Sequence, residues 1–376
     1  MKIWIDGYEA NVTQRLGSSQ WAFEFLRNLE KLDSKNEYTI LLPDPPLSDL
    51  PKERTGWKYK ILKPKKLWTK IALPKALFFS SEKPDVFLSP THYLPQFCPT
   101  GVKKICTIFD LSFLRFPEMF SKKDLWQLKN GTSFSAKNAD HIITISNSSR
   151  KDILEQYGVP KEKISVIYPG YDKERFQVSG NRLQTEGIRS KYKIGENFII
   201  YIGTIQPRKN LIRLIEAFAR IEGELQLVIV GKAGGKDQGG WKFEEILATP
   251  KQLGIEDRVK FLGFVPTDEL NDLLSGSLAF VLPSLWEGFG IPAVEAMASG
   301  VPVIVSNVSA LPEVVGSAGL LVDPYSVDQI EQAIRAIVSD KKLRQKYSKA
   351  GLLQAQKFSW KKAAREVLKV VLFANE

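Results

Sequence analysis

Along the chain, short apolar runs alternate with stretches in which apolar residues recur every three or four positions, the pattern of strands alternating with amphipathic helices. Lys2 to Gly7, Asp85 to Ser89, Lys104 to Phe109, His141 to Ser146 and Ile164 to Tyr168 predict strands in the first half. Phe198 to Gly203, Gln226 to Val230, Leu278 to Leu282, Val301 to Val305 and Leu320 to Val322 predict them in the second. Ala22, Phe25, Leu26 and Leu29 share one helical face, as do Leu211, Leu214, Ile215 and Phe218, and Val327, Ile330, Ile334 and Ile337. Such alternation builds parallel sheets covered by helices, the α/β class. At 376 residues the chain exceeds what one core usually serves, so two parallel-sheet domains are expected. The second strand series begins after a polar, charged stretch without a sustained period. Residues 1–172 therefore read as an amino-terminal domain, 173–196 as a linker and 197–357 as a carboxyl-terminal domain.

The most informative stretch runs from Ser277 to Asp323. A strand ends at Pro283-Ser284, a glycine-bracketed turn carries Glu287, and Pro292 opens a short helix that ends at Gly300 before the next β-branched run. In such a βαβ unit ligands bind at the carboxyl ends of the strands, where the helix offers unpaired N–H groups to anions. Glu287 is placed over that crevice and Glu295 in the first turn of the helix. Carboxylates repel phosphate and accept hydroxyls, so a ligand carrying both a diphosphate and hydroxyl groups, a sugar nucleotide, satisfies the amides and the acids together. Arg208 and Lys209 lie between a strand's carboxyl end and a helix's amino end, where cations oppose the helix dipole unless an anion sits between them.

The Glu287-x7-Glu295 spacing, with Pro283-Ser284 before it and Ala296 to Val305 and Leu311-Pro312-Glu313-Val314 after it, resembles the nucleotide-sugar signature of retaining glycosyltransferase family 4, the glycosyl transferases group 1. The resemblance covers nearly the whole chain and is strongest from Tyr201 onward. It implies the GT-B fold, two Rossmann-like domains facing across a cleft, with a final helix in residues 358–376 crossing back to the first domain. The implied reaction moves a hexosyl group from a nucleoside diphosphate sugar to an acceptor hydroxyl with retention, without metal and with no cofactor beyond the donor. Carried onto this chain, Arg208 and Lys209 bind the diphosphate, Glu287 with Gly288, Phe289, Gly290 and Ile291 holds the sugar, and Glu295 holds the ribose. Gly203, Gly231, Lys232, Phe264 and Val265 border the nucleotide, and Gly17 faces the diphosphate from the first domain. The text around the centre resembles mannosyltransferase members, which makes GDP-mannose the expected donor and a glycan or lipid-linked hydroxyl the expected acceptor. Taken by itself, Gly231-Lys232-Ala233-Gly234-Gly235-Lys236 fits neither a Walker loop nor a full G-x-G-x-x-G and reads as a surface loop.

One position departs from the family pattern. At Thr107-Ile108-Phe109-Asp110-Leu111 the family usually has histidine directly before the aspartate. Phenylalanine neither donates nor accepts a hydrogen bond. Three readings stay open: the enzyme works without that histidine, His92 from the neighbouring loop substitutes for it, or the protein binds sugar nucleotides with little or no turnover. Asp110 keeps the family position and is expected to hold the loop.

A formal net charge of +11 biases the chain toward anionic surfaces, and it is uneven. Lys52, Arg54, Lys58, Lys60, Lys63, Lys65, Lys66, Lys70 and Lys75 face a single acid, Glu53, in their window. Mixed with Leu67, Trp68 and Ile71, these residues suit an anionic membrane surface. A packed helix with a solvated face is the favoured alternative, because Pro74 limits a continuous amphipathic helix. No binding motif accompanies the window, so nucleic acid is not an expected partner. No histidine or cysteine spacing suggests zinc. Cys98 and Cys106 read as buried thiols of a cytoplasmic protein, placed at the inner face of the membrane if its acceptor is lipid-linked.

Overall fold

The computed structural model describes residues 1–178, 182–232 and 243–374. The chain divides into two compact units, one made of residues 1–114, 122–170 and 359–376, the other of residues 115–121 and 171–358.

Among the described residues, the first unit holds a seven-stranded sheet of β1 (Lys2–Asp6), β2 (Glu37–Leu42), β3 (Trp57–Ile61), β4 (Val86–Ser89), β5 (Lys103–Ile108), β6 (His141–Thr144) and β7 (Ile164–Val166), in the order β3-β2-β1-β4-β5-β6-β7. The second holds a six-stranded sheet of β8 (Phe198–Ile202), β9 (Gln226–Val230), β10 (Val259–Gly263), β11 (Ala279–Leu282), β12 (Val303–Ser306) and β13 (Gly319–Val322), in the order β10-β9-β8-β11-β12-β13. Every pairing in both sheets is parallel. Strands such as β4, β6, β11 and β12 are buried at every position, which is why they read as unbroken apolar runs. In each sheet the strand order reverses beside the first strand, between β1 and β4 and between β8 and β11. Loops leaving the carboxyl ends of such a pair diverge, and a crevice opens between them.

Three strands escaped the sequence pattern. β2 is a buried run, Tyr38 to Leu42, and β10 alternates only weakly. β3 lies at the sheet edge and carries Lys58 and Lys60, so part of the basic window is an edge strand whose lysines discourage further pairing. The stretch 173–196, expected as a linker, belongs to the second unit and carries the helix Arg182–Lys191. That helix is anchored through Lys191, whose ammonium lies 2.7 Å from Glu269. With Leu183 and Ile188 as its large apolar residues, its polar composition hid it.

Pro74 does not end the helical structure near it. A π-helical turn, Trp68–Ala72, runs into the α-helix Leu73–Phe79, with Pro74 in the first α turn. The missing N–H of Pro74 leaves the Thr69 carbonyl without its π-type partner, and the Gln96 N–H supplies one at 3.1 Å. Cys106 is buried as expected, whereas Cys98 is only half-buried.

The final helix, Trp360–Phe373, is part of the first unit and packs on the helix Ser18–Leu32, with Trp21 and Trp360 edge to face at 5.8 Å. Gly170 makes room for it: a Cβ there would lie 2.0 Å from the Trp360 backbone nitrogen. Gly170→Ala is therefore expected to destabilise the first unit by about 1–3 kcal/mol, read as a lower urea midpoint. Gly187→Ala, on an open helix face, is the control and should leave the midpoint unchanged or raise it.

Candidate functional site

In the second unit, the loops after β8 and β11 leave adjacent strands at the point where the order reverses, and they carry the predicted charges. Arg208 and Lys209 sit on a 3-10 turn, Pro207–Lys209, between β8 and the helix Leu211–Ala219. Glu287 follows β11 and is 7% exposed. One Oε of Glu287 accepts from the Lys209 ammonium and, at 2.7 Å, from Ser284 Oγ; the other lies 3.4 Å from Arg208. Arg208 also donates to the Trp286 carbonyl. Burial raises the Glu287 carboxyl, but the charges of Lys209 and Arg208 and the two hydrogen bonds outweigh it and hold the group at about 2. Glu287 is thus a buried carboxylate that stays ionised at neutral pH. Together the three side chains carry a net positive charge, suited to a further anion.

Several residues that the sequence reading did not single out hold this arrangement. The Glu287 N–H donates to Ser309 Oγ at 3.0 Å, and Ser309 adopts a φ of +57° to present it. Buried Asn210, at a φ of +61°, donates to the carbonyls of Pro283 at 3.0 Å and Pro324 at 2.6 Å. One amide thereby ties the loops after β8, β11 and β13. Asparagine tolerates this left-handed conformation, a signal that was visible directly after Arg208-Lys209. Ser309 stands 22 positions from Glu287 and left none.

Glycines close the floor. A Cβ at Gly231 would lie 1.8 Å from the Gly203 carbonyl oxygen, and one at Gly203 would lie 2.6 Å from the Tyr201 hydroxyl. The loops after β8 and β9 therefore meet backbone to backbone. Lys232 lies over the ring of Phe264 at 5.0 Å; Phe264 is exposed and Val265 buried. Residues 233–236 of that predicted loop lie outside the described residues.

Gly290, at a φ of +99°, precedes the helix Ile291–Ala298, whose amino end has no side-chain cap. Gly288 is buried in the turn, and Ile291 is the first helical residue. The Phe289 side chain is buried, edge to face with Phe358 at 5.3 Å. Glu295 is corrected: it is the fifth helical residue, not part of the first turn, because the helix begins at Ile291. Half-buried, it is pushed up to about 8 by burial and by the Asp172 charge. Unlike Glu287 it holds a proton at neutral pH and can donate as well as accept.

In the first unit, Gly17 precedes the helix Ser18–Leu32 at a φ of +57° with open space where a Cβ would be. His92 follows β4, and its Nε2 accepts from the Phe109 N–H at 3.1 Å while the two rings stack at 5.5 Å. Nδ1 lies 3.4 Å from Thr132 Oγ1. Burial lowers this imidazole to about 4 against the opposing Asp110 charge. Neutral and engaged at Nε2, His92 props the loop that carries Phe109. Asp110 Oδ1 accepts from the Ser112 N–H at 2.8 Å and so holds that same loop.

The chain matches the family described as Glycosyl transferases group 1 over residues 184–354 and that described as Glycosyltransferase Family 4 over residues 17–175. It is 31% identical over 291 residues to O-antigen chain mannosyltransferase B of Escherichia coli, covering 76% of this chain and 74% of that protein. The chain is a member of this glycosyltransferase family. The glycosyltransferase is also 32% identical over 231 residues to O-antigen chain mannosyltransferase RfbU of Salmonella typhimurium, covering 61% of this chain and 60% of RfbU. Its likeness to the serotype-specific mannosyltransferase WbdA of Escherichia coli, 29% over 233 residues, covers 61% of this chain but 28% of that longer protein. Among solved structures, sucrose-phosphate synthase from Thermosynechococcus elongatus matches at a TM-score of 0.77 with 21% identity, covering 100% of both chains. Anabaena HepE, in complex with UDP and glucose, matches at 0.75 with 20% identity, covering 98% of this chain and 99% of that one. These likenesses show the GT-B fold for the glycosyltransferase.

The two glutamates of the glycosyltransferase have opposite pH signatures. Glu295 binds its proton more tightly when folded, so its contribution to stability falls as pH rises from about 4.5 to about 8 and is level above that. Glu287, depressed, loses its contribution only as pH falls from about 4.5 toward about 2. In denaturant titrations of the ligand-free protein between pH 5 and about 8, the stability of wild type relative to Glu295→Gln should decline as pH rises; equal slopes would remove the raised carboxyl.

Proposed function

We propose that this glycosyltransferase moves a hexosyl group from a nucleoside diphosphate sugar to a saccharide or lipid-linked acceptor hydroxyl, with retention and without a metal ion. The observation that carries the reading is the buried Glu287 carboxylate held by Lys209 and Arg208 in the switch-point crevice. During transfer the bond from the anomeric carbon to the leaving phosphate oxygen breaks. A bond to the acceptor oxygen forms on the same face, and the acceptor proton passes to the leaving phosphate. Negative charge grows on the diphosphate, where Arg208, Lys209 and the uncapped amides at Gly290 and Ile291 stabilise it. Glu287 orients sugar hydroxyls, and Glu295, protonated, hydrogen-bonds the ribose. Gly203, Gly231, Lys232, Phe264 and Val265 border the nucleotide.

Mannosyl is the favoured group and GDP-mannose the favoured donor, supported by the O-antigen mannosyltransferases among the relatives. The setting we favour is cytoplasmic, at the inner face of a membrane when the acceptor is lipid-linked. Among the described residues, no helix is long and apolar enough to cross a membrane.

A second reading, a sugar-nucleotide binder with little turnover, draws support from Phe109 and from the engagement of His92 Nε2. A thermal-shift screen of nucleoside diphosphates and their sugars, followed by transfer assays, separates the two. A true ligand at 100 times its Kd stabilises by about 2.7 kcal/mol. Glu287→Gln should lower transfer by about 10²–10³. Unchanged transfer in that variant would remove Glu287 from the centre, and donor binding with neither transfer nor slow hydrolysis would favour the binder.

A further inference from the structure

We propose that the first unit carries a docking surface for an anionic lipid bilayer, formed by the outward face of the helices Trp68–Ala72 and Leu73–Phe79 together with Phe97 and Trp126. These helices are apolar on both sides. Trp68, Ala72, Leu73 and Leu77 point into the unit and are buried. Leu67, Ile71 and Phe78, spaced at four and seven positions, face outward at 56%, 42% and 45% exposure, with Lys70 and Lys75 between them. A packed helix with a solvated face would carry polar residues there.

Two contacts extend the patch beyond the helix. The Gln96 N–H bond to Thr69 holds Phe97, 63% exposed, beside the first turn. The Lys70 ammonium lies 5.7 Å from the ring of Trp126, which is 62% exposed on the helix Lys122–Asn138. Single exposed apolar residues are ordinary on a protein surface, but a contiguous group marks an interaction site.

The charge around it selects the occupant. From Ile61 to Ser80 the chain has five lysines and no acid. Lys63 and Lys65 reach Asp44 at 3.3 and 2.6 Å, while Lys66, Lys70 and Lys75 are exposed. Leucine, isoleucine, phenylalanine and tryptophan interleaved with lysine match the acyl boundary and headgroup layer of an anionic membrane, where apolar side chains enter and ammonium groups meet lipid phosphates. A nucleic acid would use the lysines and leave the aliphatic residues in water. The surface belongs to the first unit and Glu287 to the second, and the proposal stands independently of the transfer reading.

Flotation of the full chain with phosphatidylcholine vesicles, with and without phosphatidylglycerol, at physiological salt tests the assignment. Binding to the anionic vesicles is expected to be at least about tenfold tighter than to the neutral ones. Leu67→Ser with Trp126→Ser, and separately Lys66→Gln with Lys70→Gln and Lys75→Gln, should each reduce it by about tenfold. All these side chains are exposed, and an unchanged thermal midpoint verifies folding. As a second readout, brominated lipid should quench wild-type fluorescence more than that of Trp126→Phe. Equal binding to both vesicle types, wild-type binding by the variants, equal quenching, or duplex DNA bound as tightly as anionic vesicles would each overturn the proposal.

Discussion

A carboxylate withdrawn from water has to be met by cations and donors at close range, or it takes up a proton. Glu287 remains ionised because Lys209, Arg208 and Ser284 converge on it, and every one of these groups comes from a loop leaving β8 or β11. The requirement propagates outward. Lys209 reaches the carboxylate only from the turn that Asn210 terminates, and the Glu287 backbone holds its place through Ser309. Removing one member of such a group costs more than the pair contributes, since it leaves a buried charge without its counter-ion. The loops after adjacent strands are consequently held as one body before any ligand arrives.

The same chemistry explains why two glutamates on one turn and helix behave differently. Glu287 has cations beside it, whereas the Glu295 carboxyl has Asp172 for an electrostatic neighbour. One is fixed as an acceptor and the other retains its proton, so the pair offers a hydroxyl-rich ligand both kinds of hydrogen-bonding partner.

Much of this was legible in the chain itself. β8, β9 and β11, the Gly288–Gly290 turn and the Arg208-Lys209 placement follow from apolar runs, a glycine bracket and a cation pair before a helix, all local features. Glu295 was misplaced by one residue, just out of the first turn, because Pro292 suggests where a helix begins only to within a residue or two. Ser309 and the buried face of Phe289 depend on contacts between distant segments, which no local period records. β3 was masked by its own lysines, and the helix Arg182–Lys191 by its polar composition. Pro74 misled because the carbonyl it orphans finds the Gln96 N–H, a partner from a separate loop.

The abutment of Gly203 and Gly231 has a consequence for how such a unit diversifies. Main chain meets main chain there, at a separation no side chain can enter. A substitution at Gly231 can only pry the ends of β8 and β9 apart, and one at Gly203 drives into the Tyr201 hydroxyl. The size and outline of that end of the crevice are governed instead by the number of residues in the loops that follow, which can lengthen or shorten without touching the glycine contact. Re-engineering of what this end of the unit accommodates is accordingly a matter of insertion and deletion, with the glycine pair serving as a fixed hinge-pin around which loop lengths are exchanged.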